Sequence, residues 1–217
     1  MSPSLSPERK IARTWKALGA PVETEAVLAF GPRGIELARA AHEILQPRAL
    51  TLLHDGPPPA RARFDTCPDT LAQIAAARPG AFDLVLAGGG LETASLGRIR
   101  DDLGRIVEIL RPGGTLAAVI DTLGAPDPDG ACDALLFPHL ARQGELGDEP
   151  RTLLPAAAWI LLFQTIGLEI RSVQGLGEQE MSPDMVERHA ARLQIYDSGE
   201  LGTGRLHLVA GKPGDSA

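Results

Sequence analysis

Across 217 residues the chain carries only two cysteines, Cys67 and Cys132, and few aromatics: five Phe, two Trp and one Tyr. Neither thiol has a neighbour at metal-ligand spacing, so a disulfide framework or a zinc site is not expected, and no metal is assigned. That cysteine usage fits a reducing, cytoplasmic setting. So few rings do not build a dedicated stacking cage for a flat substrate. Long apolar runs are missing too. The longest, Ala156–Phe163, falls far short of the about 20 residues that span a bilayer, and residues 1–16 lack the apolar centre of a signal peptide. No membrane partner is expected. Positive charge is in deficit, with 21 Lys and Arg against 28 Asp and Glu for a net charge of −7. A phosphate backbone finds no general attraction there, so nucleic acid is not expected as a partner either.

What is present is the composition of a soluble globular protein, 44% apolar and 23% charged. A chain of this length buries about 70% of its unfolded surface and needs no covalent staple. Its centre is the stretch Ala81–Ile120. Leu84, Val85, Leu86 and Ala87 form a short apolar run, the mark of a strand buried on both faces of a parallel sheet. Gly88, Gly89 and Gly90 then let the backbone turn without side chains in the way. Thr93 is the expected N-cap of a helix whose apolar residues Leu96, Ile99, Leu103, Ile106, Val107 and Leu110 share one face. Asp101, Asp102, Arg105 and Glu108 take the wet side. Pro112, Gly113 and Gly114 make a turn into a second apolar strand, Thr115–Ile120, completing a right-handed βαβ unit.

FDLVLAGGGLE, a helix and then LRPGGTLAAVI resemble the fourth strand, fourth helix and fifth strand of class I methyltransferases, which use S-adenosylmethionine. The L-R-P-G-G-T-L turn is the most specific part. Element order is similar to that family over roughly residues 26 to 212. The resemblance implies one doubly wound, mostly parallel seven-stranded sheet with helices on both faces and a C-terminal antiparallel hairpin. It also implies S-adenosylmethionine as cofactor.

In chain order, Ser6, Pro7 and Glu8 begin a helix through Leu18, with Ile11, Trp15 and Leu18 on one stripe. Residues 1–20 are therefore read as an N-terminal helix, either packed on the domain or, by the resemblance, lidding its pocket. Residues 21–217 form the α/β domain. Ala26–Phe30 is the first strand, and Gly31, Pro32, Arg33 and Gly34 lead into a helix from Ile35 to Leu45. In open α/β sheets the ligand sits at such strand ends, against the next helix N-terminus. The family pattern at this loop is an acid, one residue, then G-x-G-x-G. Here Ala29 stands where the acid belongs, Arg33 falls near the middle glycine, and the loop is one residue short. The G-x-G-x-x-G fingerprint of dinucleotide-binding domains is absent as well. Arg33 either grips a carboxylate, such as that of the methionine moiety, or pairs with a local acid.

Ala49–Leu53 is the second strand, ending at His54 and Asp55. The resemblance places a ribose-binding acid there; Asp55 is the natural candidate, although alignment puts His54 on the usual position. Asp55 reads equally well as a turn former before Gly56 and three prolines. Ala62–Phe64 is a short third strand, which by resemblance sets Asp65 or Thr66 near the adenine amino group. The alternative has Asp65 shaping the loop while Asp69 caps the helix Thr70–Ala77. Cys67, with no histidine beside it in sequence, is read as inert. Gly88 belongs to the cofactor crevice. Asp83 starts its strand at the far end and is read as structural. Glu92 lies at the productive end as a substrate-facing acid or a helix-dipole partner.

Residues 121–151 form an irregular insertion. In the family such an insertion shapes the acceptor pocket, which makes Asp121, Phe137 and His139 the acceptor-side candidates. A helix follows from Thr152 and Pro155, with Trp159, Leu162, Phe163 and Ile166 buried and Gly167 as its stop. Leu168–Val173 is a strand, Ser182 begins another helix to about Arg192, and Arg205–Gly211 is the last strand. The alternating stretch Leu193–Tyr196 is a second candidate to pair with it.

Two functional readings stand. One is an S-adenosylmethionine-dependent methyltransferase acting on a small molecule or a protein side chain, with Glu92 and His139 toward the acceptor. The cofactor would lie against Gly31, Arg33, Gly34, His54, Asp55, Asp65, Thr66 and Gly88. The other is a methyltransferase-like binding or assembly domain without turnover, supported by Ala29, Arg33 and the short first loop. A homo-oligomer or a protein partner is compatible with both.

Overall fold

The computed structural model describes residues 24–54, 64–123, 154–179 and 203–214. In chain order these form β1 (Ala26–Phe30), α1 (Gly34–Ile44), β2 (Ala49–Leu53), β3 (Asp65–Cys67), α2 (Leu71–Ala77) and β4 (Phe82–Gly88). A single 3-10 turn, Leu91–Thr93, precedes α3 (Leu96–Ile109) and β5 (Leu110–Leu123). Then come α4 (Ala156–Thr165), β6 (Glu169–Gln179) and β7 (Thr203–Gly211). The expected N-terminal helix, Asp55, Phe137, His139, the helix from Ser182 and the stretch Leu193–Tyr196 lie outside the described residues.

The seven strands form one sheet in the order β3-β2-β1-β4-β5-β7-β6. β3, β2, β1, β4 and β5 run parallel, while β7 lies antiparallel between β5 and β6. This is the doubly wound sheet with a C-terminal hairpin that the sequence resemblance implies. Strand alternation gives the sheet two apolar faces. Leu28, Val85, Leu116 and Leu208 lie under α2, α3 and α4, with Trp159 and Phe163 of α4 fully buried. On the opposite face Val27, Leu50, Leu84 and Val209 pack with Leu37, Ala38 and Ala41 of α1.

β1 and β2 begin and end at the expected residues. Other boundaries move. β3 is Asp65–Cys67 rather than Ala62–Phe64, because pairing with β2 aligns Thr51 with Asp65 and Leu53 with Cys67. Thr70 caps α2, and Gln73 completes a capping box; Asp69 instead accepts a hydrogen bond from the Cys67 thiol at 2.9 Å. The 3-10 turn takes up Thr93, so Ser95 caps α3 by accepting from the Arg98 N–H. Finally, the expected turn at 111–114 lies inside β5 as an irregularity. Its register to β4 jumps from Phe82–Leu110 to Leu84–Thr115, with Gly113 at φ +75°. β5 also continues through Leu123, which makes 121–123 strand rather than insertion.

Candidate functional site at the carboxyl ends of the strands

Strand order reverses at β1. Its chain neighbour β2 lies on one side and β4 on the other, so the crevice above these strands is the topological switch point. The register brings the tips level: Phe30 pairs with Ala87, Ala29 with Leu52, and Gly88 with Val119. The tips of β1, β2 and β4 therefore stand side by side, as a shared ligand crevice requires.

Two glycine loops meet there. The loop after β1 rests directly on the loop after β4, and its contacts run through backbone. Arg33 N–H donates to the Gly88 carbonyl at 2.9 Å, and Gly34 N–H donates to the Gly31 carbonyl at 2.8 Å. Gly31 has φ +90°, and a Cβ on it would lie 2.2 Å from the Gly89 carbonyl oxygen. This position combines a backbone conformation that disfavours L side chains with an approach too close for one. Gly88 is also filled from the protein's own side, since a Cβ there would meet the Arg33 carbonyl carbon at 2.8 Å and Leu37 Cδ1 at 2.9 Å. Its missing side chain thus serves the packing of α1 on β4. Gly89 N–H donates to the Val119 carbonyl at 3.0 Å, tying the same loop to β5.

Around this junction the candidates separate. Gly34 is the buried first residue of α1, and Arg33 is its half-buried N-cap, without a side-chain capping bond. Among the described residues no acid pairs with Arg33. Ala29 is fully buried at the end of β1, where it offers no charge. His54 is half-buried just past β2, its N–H donating to the Cys67 carbonyl at 3.2 Å. The shift of β3 corrects the placing of Asp65 and Thr66. They lie within the strand rather than beyond it, Asp65 exposed at its first position, and Cys67 and Asp69 hold the tip. Burial and the hydrogen bond to Asp69 raise the Cys67 thiol above its ordinary pKa, in keeping with an inert residue.

Glu92, on the 3-10 turn after β4, is 4% exposed. Its Oε1 would be 3.4 Å from a Cβ on Gly89, which sets the carboxylate against the loop that touches Gly31. Asp121, near the end of β5, is ion-paired with Arg205 of β7, Nε to Oδ1 at 2.9 Å. Beside that pair lies a residue not singled out from the sequence. His207 pairs in register with Val119, is 1% exposed, and has its pKa lowered to about 4 by desolvation. The signal that marks it is a histidine set between two leucines in RLHLVAG. Asp83, by contrast, sits at the opposite end as expected, accepting from the Ala26 N–H at 2.6 Å and pairing with Arg111. Among the described residues no three His, Cys, Asp or Glu side chains gather as a metal site. No described helix is long and apolar enough to cross a membrane.

No protein-family model and no curated protein matches the sequence. Solved structures do match in shape. An S-adenosylmethionine-dependent methyltransferase from Archaeoglobus fulgidus superimposes with a TM-score of 0.63 at 10% identity, covering 94% of each chain. The 1,6-didemethyltoxoflavin-N1-methyltransferase of Burkholderia thailandensis, solved with its substrate and S-adenosylhomocysteine, gives a TM-score of 0.55 at 17% identity, over 96% of this chain and 79% of its own. The [4+2]-cyclase SpnF gives 0.55 at 16% identity, over 94% and 81%. The chain has the class I methyltransferase fold.

Proposed function

We propose that this chain is an S-adenosylmethionine-dependent methyltransferase acting on a small molecule or a protein side chain. The observation that carries the reading is the switch point itself: three level strand tips under two glycine loops, in a sheet closed by the antiparallel β6–β7 hairpin. Neighbours of the same fold include one solved with S-adenosylhomocysteine and a small heterocyclic acceptor.

The residues present fit such a cofactor by charge. Glycine at Gly31, Gly89 and Gly90 keeps side chains out of the junction. Arg33 and the N-terminus of α1 offer positive charge to a carboxylate. Asp55, with His54 before it, is the proposed ribose contact. When bound, the cofactor supplies an electrophilic methyl group on a sulfonium sulfur. The chain's own residues then have to align an acceptor with it and exclude water, which accounts for most of the acceleration in such a reaction. A base matters only for a weak nucleophile, and His139 in the insertion is the proposed candidate.

Calorimetric titration with S-adenosylmethionine and S-adenosylhomocysteine tests the reading. Micromolar binding that Asp55→Ala weakens is the expected result; absence of heat at millimolar ligand overturns it. A second reading, a binding or assembly domain without turnover, is favoured by one specific observation. The β1 and β4 loops are stitched backbone to backbone, with uncharged Ala29 below them. SpnF has the same fold and is described by a different reaction, which makes a changed function on this scaffold a concrete alternative.

A further inference from the structure

Two neutral polar side chains are fully buried and meet no hydrogen-bond partner among the described residues: the Thr122 hydroxyl and the Trp159 indole N–H. A hydrogen bond left unmade away from water is expensive, and folded chains answer nearly all such groups with protein, ordered water or ligand. Valine at 122 or phenylalanine at 159 would keep an apolar contact and leave nothing orphaned. Packing alone therefore does not account for the hydroxyl or the indole nitrogen.

The fold sets both groups on one face of the sheet, toward its ligand end. Thr122 is the penultimate residue of β5, beyond Val119, where β4 has already ended at Gly88. By strand alternation it shares a face with Leu116, Ala118 and Ile120, the face that carries α4. Its partner on β7 is Gly204, which puts no side chain beside it. Trp159 is the fourth residue of α4. That helix leads into β6, whose first residue Glu169 lies opposite Gly211, and Gly211 lies opposite Thr115 at the amino end. α4 therefore begins toward the carboxyl ends of the strands. Helical side chains tilt toward the helix start, which aims the indole toward the level of Thr122.

We propose that Thr122 and Trp159 form a ligand subsite that binds the carbonyl oxygen of an otherwise apolar small molecule. The indole nitrogen only donates, and the hydroxyl donates as well, so one carbonyl oxygen with its two lone pairs answers both. Leu91, Ile120 and Leu206 belong to the same core cluster and are apolar, which sets the character of the rest of the ligand. That this ligand is the methyl acceptor rests on the methyltransferase reading; the preference for a carbonyl does not.

The probes are acetophenone and α-methylstyrene, which has the same shape with a methylene group in place of the carbonyl oxygen. Each is titrated into the full chain while the Trp159 indole N–H is followed by NMR, its signal identified by loss in Trp159→Phe. Acetophenone is expected to move that signal downfield and to bind about fivefold tighter than α-methylstyrene, although it is the less apolar of the two. In Thr122→Val the two affinities should come within about twofold of each other. The same substitution removes an unanswered polar group, so the free variant should unfold at an equal or higher urea concentration. Equal binding of the two probes by the wild type, or an unmoved Trp159 signal with both, overturns the proposal without any variant. A lowered urea midpoint in Thr122→Val overturns it too, since the hydroxyl would then already be answered within the fold. Each of these outcomes leaves the methyltransferase reading standing, because calorimetric titration with the cofactor tests that reading separately.

Discussion

The two ends of the central strands are held by different kinds of contact. At the amino end every charged group named is answered by a partner within the fold. Asp83 holds the Ala26 N–H and Arg111, Arg78 lies 4.7 Å over the Phe82 ring, and Lys212 donates to the carbonyls of Val107 and Leu110 at 2.8 and 2.7 Å. Arg171 lies over Gly211 and donates to the Thr115 hydroxyl at 2.8 Å. At the carboxyl end the loops after β1 and β4 meet backbone on backbone, the Asp121–Arg205 pair joins β5 to β7, and the polar side chains of His207 and Glu92 are buried. The first end is built to hold the sheet together. The second accepts close backbone approach and buried polar groups, which is the arrangement expected of a place reserved for a ligand.

That contrast can be broken from either side. The largest effect is expected from Gly31→Ala, which forces a side chain into a positive-φ position and against the Gly89 carbonyl. Strain and overpacking together should cost about 3–4 kcal/mol, read as a lowered urea midpoint, and ligand binding should go with it. Next comes acid. With its folded pKa lowered to about 4 and an ordinary value of 6.5, His207 stays neutral in the native state while the unfolded chain takes up a proton. Stability from this group is present in full above pH 6.5 and is lost as pH falls toward 4, by up to about 3 kcal/mol. Urea titrations at pH 7 and pH 4.5 should show that loss, and His207→Leu should flatten it. An unchanged slope would show that His207 is not the group responsible. At the amino end, Asp83→Ala should cost about 2 kcal/mol by removing a charged acceptor from the Ala26 N–H, yet leave ligand affinity of the folded protein unaltered. Altered affinity there would erase the distinction between the ends. The smallest effect is Lys212→Ala, about 1 kcal/mol by chemical denaturation, again without change in binding.

Legibility from sequence followed burial. Val27, Leu28, Leu50 and Leu52 are core residues in short apolar runs bounded by Gly, Pro or a turn, and β1 and β2 were readable to the residue. β3 was not, because Asp65, Thr66 and Cys67 have no apolar pattern and form a strand only by lying along β2 at the sheet edge. Capping by Ser95 rather than Thr93 depended on the 3-10 turn, which no periodicity announces. In the candidate site, Gly31 and Gly88 could be named from sequence as glycines that mattered. That Gly88 serves the packing of α1, and that Gly31 lies against Gly89, required the two loops to be brought together. His207 was passed over because six neighbouring residues read as an ordinary buried strand.

By itself the sequence determined the order and kind of the elements and the apolar faces that force them into layers, since period and punctuation are local properties of the chain. Only the tertiary structure decided which charged groups meet and which loops come together at the crevice. Asp83 and Arg111 are 28 positions apart (111 − 83), and Gly31 and Gly89 are 58 apart (89 − 31). Their meetings depend on strand register, which long-range pairing sets and no local pattern encodes.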